Sequence, residues 1–189
     1  MPNYRRARAP GGTFSFTVVT HRRQPLFESP VAQSLLGSLL RRCQLRWLFT
    51  VNAVVLLPDH LHAIWSLPPG DNAYSRRWGW IKKSFTQAWL QIGGEELSVS
   101  AARAKEGRRG IWQPRLWEHT LEDDGDFDRH FDYLHYNPVK HDLVRRPRDW
   151  PASSFHRWVR AGVYDRDWGA GVEPRTRFEE SNCGERFGE

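Results

Sequence analysis

The chain has 189 residues, of which 39% are hydrophobic, so it can form one domain with its own core, and it contains no apolar run long enough to cross a bilayer. Its net charge is +6, with 24 arginines against 4 lysines. This balance favours a polyanionic partner such as nucleic acid, although an ordinary solvated surface rich in arginine is the alternative.

Two isolated cysteines, Cys43 and Cys183, exclude a disulfide framework. The N-terminus lacks the apolar stretch of a signal peptide, which predicts a cytoplasmic protein.

The first half of the chain predicts a strand, a helix and a hairpin. Residues 13–20 are rich in β-branched and aromatic types and predict a strand. Residues 30–44 place leucines at helical spacing and predict an amphipathic helix. The apolar runs at 47–57 and 60–67 flank the turn signal Pro58-Asp59 and predict two paired strands.

The second half predicts a helix, a loop, a strand and a further helix. The helix covers residues 73–92, and the composition break at 93–110 predicts a mobile loop. Residues 111–121 predict an edge strand, and residues 126–136 a helix that ends at Asn137-Pro138. The order βαββαβ predicts an α+β fold, with an antiparallel sheet and helices on one face.

These elements form one domain, which we place at residues 13–170. A basic arm over residues 1–12 precedes it, and the tail at 171–189 carries no recognisable pattern and is expected to be disordered. Four aromatic residues near the end of the domain could pack back onto it: Trp150, Phe155, Trp158 and Trp168.

Candidate nucleic-acid contacts are scattered along the chain. The arm contributes the first of them, and single cations elsewhere follow, although each could equally be an ordinary solvated charge. These candidates are Arg5, Arg6, Arg8, Lys82, Lys83, Arg115 and Lys140. Trp112 and Trp117 could stack on unpaired bases or pack in the core.

The sequence His60-Leu61-His62 could bind a metal ion. In a strand, residues i and i+2 point to the same side, so both imidazoles leave one face and could share one cation. The alternative is two histidines on a solvated strand face. Asp59 could orient one imidazole as a hydrogen-bond acceptor, or could serve only the turn. Glu118 and His119 are expected near the same site, where they could orient a water or a metal ligand.

Tyr133 and Asn137 are four residues apart and lie on the same face of the predicted helix. A phenol is a poor nucleophile, so a nearby cation or base must assist its attack. Asn137 could supply a third metal-binding oxygen, or it could cap the helix before Pro138; Tyr133 could also be a core residue. Tyr136 is a second candidate phenol.

Together these pairs suit phosphodiester chemistry. A divalent cation polarises a phosphate, and a tyrosine oxygen can displace the 3′-hydroxyl strand to leave a 5′-phosphotyrosine. Two alternatives remain open: a metallonuclease in which water attacks, and a DNA-binding protein that has lost catalysis. No P-loop is present in the sequence.

Five segments, in order, resemble those of the REP-associated tyrosine transposases, a subgroup of the IS200/IS605-type single-tyrosine transposases with a histidine–hydrophobe–histidine (HUH) signature. They are Tyr4-Arg5-Arg6 with Gly11-Gly12-Thr13, and the segments 56–62, 111–119, 132–141 and 150–155. The resemblance covers about residues 3 to 170. Residues 93–110 look longer than the usual link in the family.

The resemblance implies a ferredoxin-like sheet with the histidine pair on a central strand. It implies Mg²⁺ or Mn²⁺ as cofactor, Tyr133 as the nucleophile and Asn137 as the third metal ligand. The implied substrate is single-stranded DNA with a hairpin of the repetitive extragenic palindrome (REP) type, flanked by a tetranucleotide. It further implies a bacterial protein associated with the nucleoid that works as a monomer in DNA transposition and recombination.

Overall fold

A four-stranded antiparallel sheet forms the centre of the fold. The structure is a computed structural model that describes residues 11–171. The strands are β1 (Thr13–Val19), β2 (Thr50–Leu56), β3 (His60–Ser66) and β4 (Trp117–Leu121), in the spatial order β2-β3-β1-β4. All neighbours are antiparallel, which confirms the predicted α+β fold with a βαββαβ order. Arg5, Arg6, Arg8 and the tail from residue 172 lie outside the described residues.

Helices cover both faces of the sheet. Helices α1 (Pro30–Arg46) and α2 (Tyr74–Gln91) pack on one face, against a core that includes Phe16, Leu61 and Trp65. Because successive strand residues point to opposite sides, Ile64 belongs to the second core, under α4 (Asp124–Lys140) and α5 (Phe155–Arg160). The prediction of helices on one face therefore holds for α1 and α2, whereas α4 and α5 lie on the other face. Among residues 11–171, no helix combines the length and apolarity that a membrane span needs.

Helix α4 is longer than predicted. It continues through Pro138 to Lys140, and its C-cap residue is His141, not Asn137. Pro138 has no amide hydrogen, so the helix lacks one backbone hydrogen bond there. The following turn is held by two hydrogen bonds of 3.0 Å, from the His141 amide to the Asn137 carbonyl and from the Leu143 amide to the Pro138 carbonyl. The alternative role of Asn137 as a helix cap is therefore wrong.

The region between α2 and β4 also differs from the prediction. The expected loop at 93–110 contains a short helix, α3 (Ala101–Lys105), whose N-cap Ser100 accepts a hydrogen bond from Arg103. Of the strand predicted at 111–121, only β4 is paired along its length; before it, Trp112 makes a single bridge to Thr20. Pro114 has no amide hydrogen to continue the ladder, which accounts for the late start of β4.

The C-terminal aromatic residues pack back onto the domain, as predicted. Phe155 is fully buried in the second core, and Trp150, Trp158 and Trp168 pack against it. The indole of Trp150 donates to the Leu56 carbonyl at 2.9 Å. These contacts anchor α5 and its flanking loops against β2 and α4.

Two leucines on α1 offer a matched test of the first core. Leu39 is 2% exposed, whereas Leu45 is 87% exposed. Leu39→Ala should lower the free energy of unfolding by about 2–5 kcal/mol, because it removes buried methyl groups and leaves a cavity. Leu45→Ala should change it by less than about 0.5 kcal/mol. Chemical denaturation measures both values, and equal effects would contradict this placement of α1.

His135 ties α4 to α5 and predicts sensitivity to acid. Its Nδ1 donates to the Phe131 carbonyl (2.9 Å), and its Nε2 lies 2.8 Å from the Ser154 hydroxyl, which can donate to the neutral ring. Burial lowers its pKa from 6.5 to about 3. Below pH 6.5, His135 is therefore protonated in the unfolded chain but stays neutral in the folded chain. The free energy of unfolding then decreases as the pH is lowered, down to about pH 3.

We expect His135→Gln to remove this contribution while keeping polar contacts at the position. Between about pH 7.5 and 5.5, the unmodified protein should lose about 1.4 kcal/mol more stability than the variant. Urea denaturation at the two pH values measures the difference. Equal losses would show that His135 does not carry the effect.

Candidate active site

His60 and His62 form the base of the site. Both project from the face of β3 that α4 covers, and they are 4% and 8% exposed. Their ring centroids are 4.9 Å apart. The alternation of the strand places Leu61 in the core on the opposite face, as expected.

Hydrogen bonds fix the orientation of both imidazoles. Asp59 Oδ1 lies 2.5 Å from His60 Nδ1 and its other oxygen accepts from Arg23 at 2.9 Å. Burial opposes ionisation of Asp59, but these hydrogen bonds lower its pKa to about 2. Thr17 Oγ1 lies 2.9 Å from His62 Nδ1. Each ring therefore turns its Nε2 away from these partners, and a hydrogen bond at Nδ1 is what orients an imidazole that binds a metal through Nε2.

Helix α4 brings Tyr133 and Asn137 to the same place. The Tyr133 ring centroid is 6.1 Å from that of His62. Asn137 is fully buried beside His62, yet its amide oxygen and nitrogen, like His62 Nε2, make no hydrogen bond of normal geometry. A phenol, two imidazoles and an amide from distant parts of the chain thus converge, with three buried polar atoms left unsatisfied.

His62 is held in its neutral form. Burial lowers its pKa well below the usual value, and neighbouring His60, His141 and Lys140 lower it further by repulsion. A neutral imidazole presents a lone pair, which is the form that binds a cation.

The extra turn of α4 adds two groups to the site. Lys140, a predicted DNA contact, donates from Nζ to the Tyr133 hydroxyl at 3.1 Å and lies 4.8 Å from its ring centroid. The His141 ring centroid is 5.4 Å from that of His60. His141 lies beyond the helix end predicted at Asn137-Pro138, so no role was predicted for it. In an unbroken helix, the spacing of four residues from Asn137 to His141 is the signal that would have found it.

Two further candidates are not brought to the histidine pair. Glu118 pairs in register with Phe16 and accepts from the Tyr74 hydroxyl at 3.0 Å, so it lies on the α1–α2 face of the sheet. Its expected place beside the site is wrong because strand alternation turns it away. His119 lies on the same face as His62, but its Nε2 meets Asp126 at 2.9 Å.

The candidate tryptophan and cation contacts with nucleic acid lie in several parts of the fold. Trp112 packs in the first core, and Trp117 lies beside His119 at 5.9 Å between ring centroids. Lys82 donates a hydrogen bond to the Gln113 carbonyl. Burial, and to a smaller extent repulsion by Arg108, lower the pKa of Lys82 to about 8. Lys83 and Arg115 are exposed. A groove of about 730 Å³ is lined by Lys82, Lys83, Arg103 and Arg108 among others.

No family model matches the chain. A REP-associated tyrosine transposase of Escherichia coli K12 is 40% identical over 172 residues, which cover 91% of this chain and 93% of that protein. A Haemophilus influenzae protein whose name places it in the same family is 39% identical over 177 residues, covering 94% and 98%.

A solved structure of a REP-associated tyrosine transposase bound to a REP hairpin superposes on this chain with a TM-score of 0.75. It is 39% identical, and the match covers 93% of this chain and 96% of that one. Sequence and fold therefore agree over nearly the whole length. The relatives are named as tyrosine transposases, and such proteins are enzymes that nick and rejoin DNA. This chain belongs to the family of REP-associated tyrosine transposases.

Proposed function

We propose that this protein cuts and rejoins single-stranded DNA at a REP-type hairpin, through a 5′-phosphotyrosine intermediate on Tyr133 and with a divalent cation at His60, His62 and Asn137. One observation carries the proposal. The Tyr133 phenol lies beside the His62 ring, at a cluster of buried nitrogen and oxygen atoms of His62 and Asn137 that make no hydrogen bond of normal geometry.

The side chains at this position fit a divalent cation. His62 Nε2 and Asn137 Oδ1 are buried and make no hydrogen bond of normal geometry, and a buried polar atom left unpaired costs about 1–3 kcal/mol. Imidazole nitrogens and an amide oxygen can hold Mn²⁺, and Mg²⁺ with added waters and substrate oxygens. When bound, Mg²⁺ or Mn²⁺ would supply Lewis-acid polarisation of a non-bridging phosphate oxygen.

Tyr133 performs the transfer with help from Lys140. The ammonium group, 3.1 Å from the phenol oxygen, stabilises the negative charge that develops as the phenol loses its proton. The phenol oxygen forms a bond to phosphorus while the bond from phosphorus to the 3′-oxygen breaks. The 3′-oxygen leaves as a hydroxyl group, so it gains one proton for the one that the phenol loses. The ester is retained, and the reverse attack by a 3′-hydroxyl rejoins the DNA.

The DNA partner is proposed from relatedness and charge. The related structure holds a REP hairpin, and this chain has a net charge of +6. The groove beside α2 and the exposed cations Lys83 and Arg115 offer phosphate contacts, and Arg5, Arg6 and Arg8 are proposed to add to them. All the catalytic side chains come from a single chain, so one copy completes a site and a monomer suffices.

The nucleophile can be tested with two tyrosines of one helix. Tyr133→Phe should abolish both cleavage of a hairpin oligonucleotide and the covalent protein–DNA adduct, because the attacking oxygen is gone. Hairpin binding should remain within about threefold, since the phosphate contacts are untouched. Denaturing gels detect the adduct, and fluorescence anisotropy measures binding.

Tyr136→Phe is the matched control. The Tyr136 ring packs towards Trp168 instead of His62, so this variant should keep full adduct formation. An adduct in Tyr133→Phe would remove Tyr133 as the nucleophile. Cleavage by the unmodified protein without any adduct would instead indicate hydrolysis, and binding without cleavage would indicate a silent hairpin-binding protein.

The third cation ligand can be tested by exchanging the donor at Asn137. Asn137→Ala should weaken Mn²⁺ binding by about 10–100-fold, whereas Asn137→Asp, which keeps an oxygen there, should retain it. Isothermal titration calorimetry measures the affinities, and circular dichroism checks that each variant is folded. Unchanged Mn²⁺ affinity in a folded Asn137→Ala variant would contradict the assignment.

A further inference from the structure

A second group of metal-ligating side chains joins β4 to α4. His119 comes from the strand, and Asp126 and His130 come from the first turns of the helix. One ligand atom from each lies within 4.8 Å of the others. His119 Nε2 is 2.9 Å from one Asp126 carboxylate oxygen, and the two histidine rings stack at 4.7 Å between centroids. His130 Nδ1 is 3.2 Å from the other carboxylate oxygen and 2.9 Å from the Asp126 backbone carbonyl, so a cation bound through Nδ1 would replace the hydrogen bond to that carbonyl.

The group is distinct from the proposed active site. His62 pairs in register with Thr17, whereas His119 pairs with Ser15 on the other side of β1. Two strand spacings of about 4.8 Å separate β3 from β4, so His119 lies on the order of 10 Å from His62. One ion cannot serve both sets of ligands.

The charges within the group favour a cation. Asp126 is 8% exposed, and hydrogen bonds from His119 and the Glu122 amide outweigh burial and keep its pKa low. Burial lowers the pKa of His130, so its ring is neutral. Among the described residues, the fixed cation that reaches Asp126 is the half-exposed Arg129, at 3.4 Å. A buried carboxylate beside two imidazoles is a donor set that suits Zn²⁺.

We propose that His119, Asp126 and His130 bind a transition-metal cation of the Zn²⁺ type. Three protein ligands leave a fourth position for water, and the His119 side chain is 37% exposed, which gives an ion a route in from solvent. Tetrahedral ligands at about 2.0–2.1 Å from Zn²⁺ lie roughly 3.3 Å apart, so the three ligand atoms, which lie within 4.8 Å of one another, would move closer together on binding the ion.

Such an ion would act on the helix that carries the nucleophile. His130 precedes Tyr133 by three residues, on the same side of α4. A cation held between β4 and the start of α4 would clamp this part of the helix to the sheet. Because the ion binds the folded chain, it would also raise the melting temperature with increasing concentration.

Zn²⁺ titration into metal-free, tag-free protein tests the site. The background is the double variant His60→Gln/His62→Gln, which removes the other histidine pair. We expect it to bind one Zn²⁺ per chain by isothermal titration calorimetry and to gain thermal stability. Adding His119→Gln should weaken binding by on the order of 100-fold, whereas adding His156→Gln, a change on α5, should leave it unchanged.

Two results would overturn the proposal: no Zn²⁺ binding by the double variant, or binding that His119→Gln leaves intact. Should the double variant fail to fold, histidine ring signals in nuclear magnetic resonance spectra of the unmodified protein decide the question. Zn²⁺ should shift the signals of His119 and His130, and unshifted signals would refute the site. None of these readouts depends on DNA cleavage, so they stand apart from the test of Tyr133.

Discussion

The packing of α4 against β3 is the contact on which the rest of the site depends. The strand presents two imidazoles on one face, and the helix lays a phenol and an amide over them. Neither element could place a reactive group alone, because the helix side chains are remote in sequence from the histidines. The second core, built from Ile64, Leu134 and Phe155 among others, holds the two elements together.

The buried polar atoms of the site lower the stability of the fold but serve its proposed function. His62 and Asn137 carry buried polar atoms without a hydrogen bond of normal geometry, and each such atom opposes folding. Two features offset that cost: the hydrogen bonds that Asp59 and Thr17 make behind the rings, and the apolar packing of α4. Buried, unpaired polar atoms are common at functional sites for this reason, since a ligand completes them.

Helix α4 also connects the other polar elements on its face of the sheet. Near its start, Asp126 meets His119 from β4. In its middle, His135 meets Ser154, whose hydroxyl also accepts from the Val54 amide of β2. At its end, Lys140 donates a hydrogen bond to the Tyr133 hydroxyl. The contacts of Asp126 and His135 with other elements fix the helix at two points along its length, so together they set its register on the sheet, whereas the Lys140 contact lies within the helix.

The sequence alone determined the order of elements and the shared face of strand residues two positions apart. Periodicity and turn residues are local signals, so the β2–β3 hairpin, α2 and the shared face of His60 and His62 could all be predicted. The resemblance to known transposases added Tyr133 and Asn137 as partners of the histidines, and the spacing of four residues put those two on one face.

The tertiary structure decided what local signals could not. Pro138 predicts a helix end, but its burial and the hydrogen bonds beyond it extend α4, which brings Lys140 and His141 to the site. Glu118 and His119 are neighbours in sequence, yet strand alternation sends them to opposite faces, and only one of them reaches α4. Which side chains meet depends on strand pairing and helix packing between residues far apart in the chain, and no local pattern encodes those distances.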